Sequence, residues 1–197
     1  MLAVIRNIRK SVAAVSITSP VAVRHGVSPD VRTVTALKWL WLSALVVLLD
    51  QASKLLADAR LVYHDPVPLM PFFNFRLAYN TGAAFSFLGN AGGWQRWFFA
   101  SISVVVVSVL VVWMRRLKPE QWSLSLAFSL IIGGAIGNLI DRLVYGHVID
   151  FIDFYYGTWH WPTFNIADSA ITLGAALLLM DAWVEYRREK RAAGKGA

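Results

Sequence analysis

Long apolar segments dominate the pattern of hydrophobic and polar positions along the chain. Two of them, 97–114 and 121–140, contain no charged residue. At a rise of about 1.5 Å per residue, each covers most of a hydrocarbon core about 30 Å thick. Two others are equally long but carry charges within an apolar background. The pattern predicts four transmembrane helices, at about 37–56, 97–114, 121–142 and 162–186.

The segment between the first two predicted helices has a different pattern. Apolar and polar residues alternate from Phe73 to Tyr79, which is typical of a strand, and several prolines and glycines flank this stretch. We expect a small β element at about 59–95, resting on the membrane surface. The predicted fold class is therefore a membrane all-α protein with four transmembrane helices and a small extramembrane β-sheet or loop element on one side of the membrane.

Composition supports a membrane protein and excludes several functions. Only 16% of the 197 residues are charged and 57% are hydrophobic, whereas soluble domains are about 25% charged. Tryptophans lie at the ends of the apolar segments, where amphipathic rings prefer the headgroup layer. Without cysteine, the chain has no thiolate nucleophile and no cysteine-based metal site. Its positive charge lies in short clusters beside apolar segments, so we expect no nucleic-acid partner.

The basic clusters predict the orientation. Lys and Arg concentrate at 115–118, between the second and third helices, and at 187–191, after the fourth, and such clusters stay cytoplasmic. Both termini are then cytoplasmic, and the loops at 57–95 and 143–161 face outward. The predicted parts of the chain are an N-terminal cytoplasmic extension at 1–36, a membrane domain at 37–186 and a basic cytoplasmic tail at 187–197.

Two aspartates, Asp150 and Asp168, fall at the outward ends of the third and fourth predicted helices. A carboxylate at a bilayer boundary is costly unless it faces a wet cavity, a partner charge or a substrate. Each has a simpler explanation alone: Asp150 as a solvated loop acid, and Asp168 as a first-turn acid of a helix capped by Asn165. Together, two close carboxyls would share one proton, which is the state needed to activate a water and protonate a carbonyl oxygen.

Other polar residues surround this end of the predicted bundle. Asp50 and Lys54 lie four residues apart on one helix face, as either a structural ion pair or a catalytic one. Small residues at 133–137 allow close helix packing, but they do not explain the amide and charges of Asn138, Asp141 and Arg142. Arg142 could snorkel, or could hold a carbonyl or a phosphate-like headgroup.

Two other hydrolytic chemistries fit poorly. The candidate metal ligands lack any tight helical spacing, so we expect no metal and no other cofactor. A serine protease would need a nucleophile beside a base, but the chain has no Gly-x-Ser-x-Gly motif. The candidate ligands in question are His147, Asp150, Asp153 and His160.

Four motifs in order, covering roughly 37–186, resemble the lipoprotein signal peptidase (signal peptidase II) family. They are Asp50-Gln-Ala-Ser-Lys54, Asn80-Thr-Gly82-Ala-Ala-Phe85, Gly133-Gly-Ala-Ile-Gly-Asn138-Leu-Ile-Asp141-Arg142 running on to His147-Val-Ile-Asp150-Phe151, and Phe164-Asn165-Ile-Ala167-Asp168-Ser169.

The resemblance implies an aspartic endopeptidase of the bacterial inner membrane. It implies an enzyme that removes signal peptides from prolipoproteins by cleaving before a diacylglyceryl-modified cysteine. We expect this enzyme to be a monomer in contact with membrane lipid. It also implies that Asp150 and Asp168 are the catalytic pair. Residues implied to shape or support the site are Asp50, Lys54, Asn80, Gly82, Gly134, Asn138, Asp141, Arg142, Asn165 and Ala167.

Two alternatives of another class stay open on the residues alone. An ion- or proton-coupled transporter could also place acids among its helices, although four spans without an internal repeat argue against one. A non-catalytic lipoprotein-binding membrane protein would need the groove but not two acids at one point.

Overall fold

A computed structural model describes residues 36–82 and 92–194. Apart from Ala36, the predicted extension at 1–36 lies outside the described residues, as do the last three residues of the predicted tail. The described residues form four long helices, each long and apolar enough to cross a membrane. This confirms the predicted fold class of four membrane helices with a small sheet. The helices are α1 (Leu40–Arg60), α2 (Gln95–Met114), α3 (Trp122–Val144) and α4 (Ile166–Gly194).

Helix α3 is the centre of the bundle. It packs against α1, α2 and α4, and it carries more buried residues than any of the other three helices. Phe128 and Ile132 of α3 join Met114 of α2 in one apolar cluster. By contrast, α1 and α2 expose rows of leucine and valine, which suits surfaces that face lipid rather than water.

Glycines allow α3 to approach its neighbours. A Cβ at Gly134 would overlap the carbonyl oxygen of Ala167 in α4, and a Cβ at Gly137 would lie 2.5 Å from Oδ2 of Asp50 in α1. Small residues at such crossings let helix backbones come close together in membranes. Here that closeness brings the polar side chains of three helices to one point.

We expect Gly134→Ala to destabilise the protein by about 1–3 kcal/mol, as overpacking does. The added methyl group would push against Ala167, which precedes Asp168, so peptidase activity should fall together with the thermal midpoint. Gly194→Ala is the matched control, because nothing lies within 4 Å of a Cβ there. Equal thermal midpoints for the two variants would contradict the proposed close packing.

A four-stranded antiparallel sheet covers one end of the bundle, and we call this the sheet end. Its strands, in the order β1-β2-β3-β4, are β1 (Val67–Met70), β2 (Phe73–Asn80), β3 (Val148–Tyr156) and β4 (Trp159–His160). The alternation at 73–79 therefore predicted a real strand. Strands β1 and β2 lie within the expected β element at 59–95, and the loop at 143–161 supplies β3 and β4.

Helix ends differ from the predicted spans by a few residues. Helix α1 continues to Arg60, beyond the predicted end at 56. Helix α4 begins at Ile166 rather than 162, because the backbone of Phe164 pairs with Ile152 of β3 before the helix starts. The same helix runs on to Gly194, past the predicted end at 186, since helical hydrogen bonds do not require the bilayer.

Candidate active site

The candidate site lies at the sheet end, where β3 meets the start of α4. Asp150 is a buried residue of β3 that pairs with Ala78 of β2. Asp168 lies in the first turn of α4. Two residues from separate segments are therefore held at the same end of the bundle by regular secondary structure.

Asn165 connects the two carboxyl groups. Its side-chain Nδ2 donates to Oδ1 of Asp150 at 2.7 Å, and its backbone N–H donates to Oδ2 of Asp168 at 3.3 Å. Because a single residue bonds both acids, the carboxyls of Asp150 and Asp168 lie on either side of one asparagine.

Asn165 also caps helix α4. Its Oδ1 accepts the backbone N–H of Asp168 at 2.9 Å, while the Asp168 carboxylate bonds back to the Asn165 N–H, which is the reciprocal geometry of a capping box. Asp168 is therefore a first-turn acid of a helix capped by Asn165, as its simpler explanation from the sequence predicts. This cap coexists with the acid pair, because the same asparagine also reaches Asp150.

Two more amides complete the surroundings of the acids. Asn80 Nδ2, from the end of β2, donates to Oδ2 of Asp150 at 3.2 Å. Asn138 Nδ2, from α3, donates to Oδ1 of Asp168 at 2.8 Å. Every carboxylate oxygen of the pair thus accepts an amide N–H, so the acids are held in fixed orientations.

The electrostatics of Asp150 favour a bound proton. Burial raises the pKa of its carboxyl, and the negative charge of Asp168 raises that pKa further, to about 7, although Asn80 and Asn165 donate hydrogen bonds that oppose the shift. One pKa near neutrality is the behaviour expected of two carboxyls that share a proton.

A buried network of ion pairs contacts the backbone next to the two acids. Lys54 Nζ lies 2.8 Å from Oδ2 of Asp50 and 2.8 Å from Oδ2 of Asp141, and all three residues are almost wholly inaccessible. Asp50 Oδ1 accepts the backbone N–H of Ala167 at 2.9 Å, and Asp141 Oδ2 accepts that of Ile149 at 3.1 Å. The network therefore fixes the residue just before each member of the acid pair.

Lys54 also sets the orientation of Asn138. Its ammonium donates to Asn138 Oδ1 at 2.9 Å, and Asn165 Nδ2 donates to the same oxygen at 3.2 Å. With two donors on that oxygen, the amide nitrogen of Asn138 must face the other way, toward Asp168. The Asp50–Lys54 pair is thus connected to the acid pair through Asn138.

Comparison with known proteins decides the family. The family model described as signal peptidase (SPase) II matches residues 42–184, which include both acids and the supporting network. The chain belongs to the signal peptidase II family. The predicted peptidase activity is thereby confirmed, and the transporter and the non-catalytic binding protein are not supported. Four apolar helices in this family indicate a multi-pass membrane protein.

Relatives of this signal peptidase II family member match over most of its length. A lipoprotein signal peptidase from Alteromonas mediterranea is 54% identical over 75% of this chain and 81% of its own. One from Yersinia enterocolitica is 52% identical over 82% of this chain and 95% of its own. A solved bacterial membrane enzyme superposes with a TM-score of 0.69 at 31% identity, covering 76% of this chain and 89% of that chain.

Arg142 contacts Gly82, just after the end of β2. Its Nη2 donates to the carbonyl oxygen of Gly82 at 3.0 Å, and its Nη1 donates to the carbonyl oxygen of Asn138 at 3.2 Å. The guanidinium carbon lies 5.3 Å from the centre of the Phe99 ring. Because the Gly82 N–H also bonds to Asn80 Oδ1 at 3.0 Å, Arg142 steadies the turn that presents Asn80 to Asp150. Of the sequence alternatives, the structure shows the carbonyl contact.

Gln51 is a member of this network that sequence reasoning missed. Its Nε2 donates to Oδ1 of Asp141 at 2.8 Å and lies 3.2 Å from the Gly137 carbonyl oxygen. The signal was its position inside the first motif, next to Asp50. Adjacent helix residues do not normally face the same partner, so spacing alone could not identify it.

The residues once considered as metal ligands lie in separate contacts. Asp153 is fully buried and accepts from Asn74 Nδ2 at 3.2 Å, and His160 Nδ1 lies 2.9 Å from both of its oxygens. His147 packs instead against the ring of Tyr79, 4.4 Å between centroids. Asp153 therefore ties β2, β3 and β4 together, and Asp150 belongs to the acid pair.

Proposed function

We propose that Asp150 and Asp168 are the catalytic pair with which this chain removes signal peptides from prolipoproteins. The bond cleaved is the one before a cysteine that carries a diacylglyceryl group. The observation that carries the assignment is the bonding of Asn165 to both carboxyls. The names of the relatives, lipoprotein signal peptidases, support the substrate class.

In the proposed mechanism the pair starts with one proton. The ionised carboxylate takes a proton from a water held between the acids, and that water attacks the scissile carbonyl carbon. The protonated partner donates its proton to the carbonyl oxygen, which gives a tetrahedral intermediate. Collapse of the intermediate with proton transfer to the leaving amine regenerates the pair, and no covalent enzyme intermediate is needed.

The supporting residues have separate roles in this scheme. The amides of Asn80, Asn138 and Asn165 fix the carboxyls so that little reorganisation is required during the reaction. Lys54, with Asp50 and Asp141, holds Asn138 and the start of α4. Gly134 and Ala167 provide the close helix approach that brings these groups together, and Arg142 secures Gly82.

Membrane insertion contributes to substrate positioning. We infer that the signal helix lies against the bundle and that the diacylglyceryl chains stay in lipid, so the scissile bond reaches the acids at headgroup level. Binding in a fixed geometry can replace the deep cleft of a soluble protease. We further propose a monomer in the bacterial inner membrane, with both termini cytoplasmic and the site near the periplasmic face.

The substrate proposal is tested with a gel-shift cleavage assay on purified protein. A diacylglyceryl-modified precursor should be cut, and the same precursor without the lipid should be cut at least about tenfold more slowly, because remote binding contributes to the reaction step. Equal cleavage of the two precursors would reject the lipid requirement while leaving the peptidase assignment intact.

Activity should fall as pH rises through about 7, because Asp150 has a pKa of about 7 and loses its proton above that value. Without that proton the pair cannot protonate the carbonyl oxygen. We would measure kcat/KM for the lipidated precursor from about pH 5 to pH 9, together with precursor binding as the control. A rate that stays constant or rises from pH 7 to pH 9 would contradict the shared proton.

A further inference from the structure

We propose that the end of helix α4 binds the phosphate group of anionic phospholipids through a basic notch. The notch is a cavity of about 350 Å³ lined by Tyr186, Arg187, Lys190 and Arg191. It lies at the end of the bundle opposite the sheet and has no part in the proposed peptide-bond hydrolysis. The argument rests on the length of α4, the exposure of its end and the pattern of its charges.

Helix α4 is longer than a membrane span requires. Its 29 residues extend for about 43 Å at 1.5 Å per residue, compared with a hydrocarbon core of about 30 Å. From Glu185 to Gly194 every residue is exposed, so no other described part of the chain covers this end. An isolated stretch of helix this short is only marginally stable in water, and contact with a surface would stabilise it.

The charges on this stretch are unevenly paired. Arg188 Nη1 lies 3.8 Å from Oε2 of Glu185, so the carboxylate partly neutralises the charge of this arginine. Arg187, Lys190 and Arg191 follow the spacing of one helix face, and all line the notch, which has no carboxylate in its lining. Three cationic side chains form a set of donors suited to phosphate oxygens.

The position of the notch selects a lipid as the source of the phosphate. The guanidinium of Arg187 lies 4.9 Å from the centre of the Trp183 ring, and exposed tryptophans at the ends of membrane helices mark the headgroup layer. The notch begins within about one helical turn of that ring. It therefore lies at the depth of the phospholipid phosphates, where basic side chains attract anionic lipids.

The loop between α2 and α3 lies at the same end. Leu117 of this loop and Leu178 of α4 belong to the same apolar cluster, and the loop carries exposed Arg115 and Arg116. These arginines add positive charge at this end of the bundle. They are outside the lining of the notch, and this gives the experiment an internal comparison.

The test is lipid retention by the full chain in detergent, measured by native mass spectrometry with phosphatidylglycerol and phosphatidylcholine as competing probes. We expect the wild type to retain phosphatidylglycerol preferentially. In the variant R187Q/K190Q/R191Q, the ratio of retained phosphatidylglycerol to retained phosphatidylcholine should fall by about tenfold or more, since each basic residue near an anionic surface contributes to binding. The variant R187K/R191K, which keeps the charge, should retain most of it.

Two control measurements make the result decisive. R115Q/R116Q removes charge at the same end but leaves the notch, and we expect it to change the preference less than threefold. Free inorganic phosphate at millimolar concentration should not displace the lipid. An equal loss in R115Q/R116Q, displacement by free phosphate, or no preference in the wild type would each overturn the proposal. Thermal midpoints should agree among all variants, because every changed side chain is exposed.

Discussion

Asp150→Asn and Asp168→Asn are each expected to lower the rate of cleavage of a lipidated precursor by at least about 10³-fold. Each substitution keeps the size of the side chain but removes either the base or the acid of the pair, and general acid–base catalysis contributes about 10²–10⁴ in rate for a positioned group. The hydrogen bonds that these acids accept are to amide N–H groups. Because the NH2 group of asparagine cannot accept, each variant loses one of these hydrogen bonds, and its thermal midpoint is measured to show that it is folded.

Binding must be measured beside cleavage to interpret these variants. We expect Kd for the lipidated precursor to change by less than about tenfold, since the mechanism places the main effect of the acids in the transition state. Asp65→Asn, on an exposed loop before β1, is the control for removal of one aspartate. Normal cleavage by either dyad variant would end the assignment of that residue.

Lys54→Ala is expected to cost about 3–5 kcal/mol of stability, the usual loss when one partner of a buried ion pair is removed. Without the ammonium, Asp50 and Asp141 remain as two buried carboxylates whose Oδ2 atoms both faced the same Nζ. The effect should appear as a low folded yield and a lower thermal midpoint. Lys38→Ala, at an exposed lysine before α1, is the matched control.

A rescue variant separates this charge effect from simple loss of volume. Lys54→Met combined with Asp50→Asn and Asp141→Asn removes the uncompensated charges, and we expect it to recover part of the lost stability. If Lys54→Ala instead folded normally and abolished turnover, lysine would have a direct chemical role. A mechanism in which Lys54 activates a serine nucleophile would then have to be considered.

The membrane helices and the polar residues between them were predictable for physical reasons. A span must be predominantly apolar over about 20 residues, so the uncharged segments 97–114 and 121–140 stand out in this sequence. A charge inside such a span needs a partner, and this singled out Asp50 and Lys54 before their contact was known. The convergence of these residues with Asp141 could not be predicted, because it depends on where three helices cross.

The strand β3 was missed although its composition favours a strand. It is rich in β-branched and aromatic residues, but its two acids, Asp150 and Asp153, lie three positions apart and therefore on opposite faces of a regular strand. Each face therefore carries one acid among apolar residues, and the strand lacks the usual alternation of apolar and polar residues along its length. The structure resolves this by giving each acid its own partners: Asn80 and Asn165 for Asp150, and Asn74 and His160 for Asp153.

The sequence predicted only one of the two contacts that Asn165 makes to the acids. Its spacing to Asp168 predicts a helix cap, and the cap is present. The second contact, to Asp150, depends on the extended segment before α4, where Phe164 pairs with Ile152 of β3. A long-range pairing of this kind has no local signature, so the connection of the two acids through Asn165 could be found only in the folded chain.

The most direct test of the two-acid mechanism is the affinity for an uncleavable lipopeptide with a tetrahedral hydroxyl group in place of the scissile carbonyl. This group imitates the intermediate that the two acids are proposed to stabilise. The wild type should bind it at least about 100-fold more tightly than a ground-state lipopeptide that is also uncleavable. The preference should disappear in both Asp150→Asn and Asp168→Asn. Equal affinity of the wild type for the two ligands, or an unchanged preference in either variant, would contradict the mechanism.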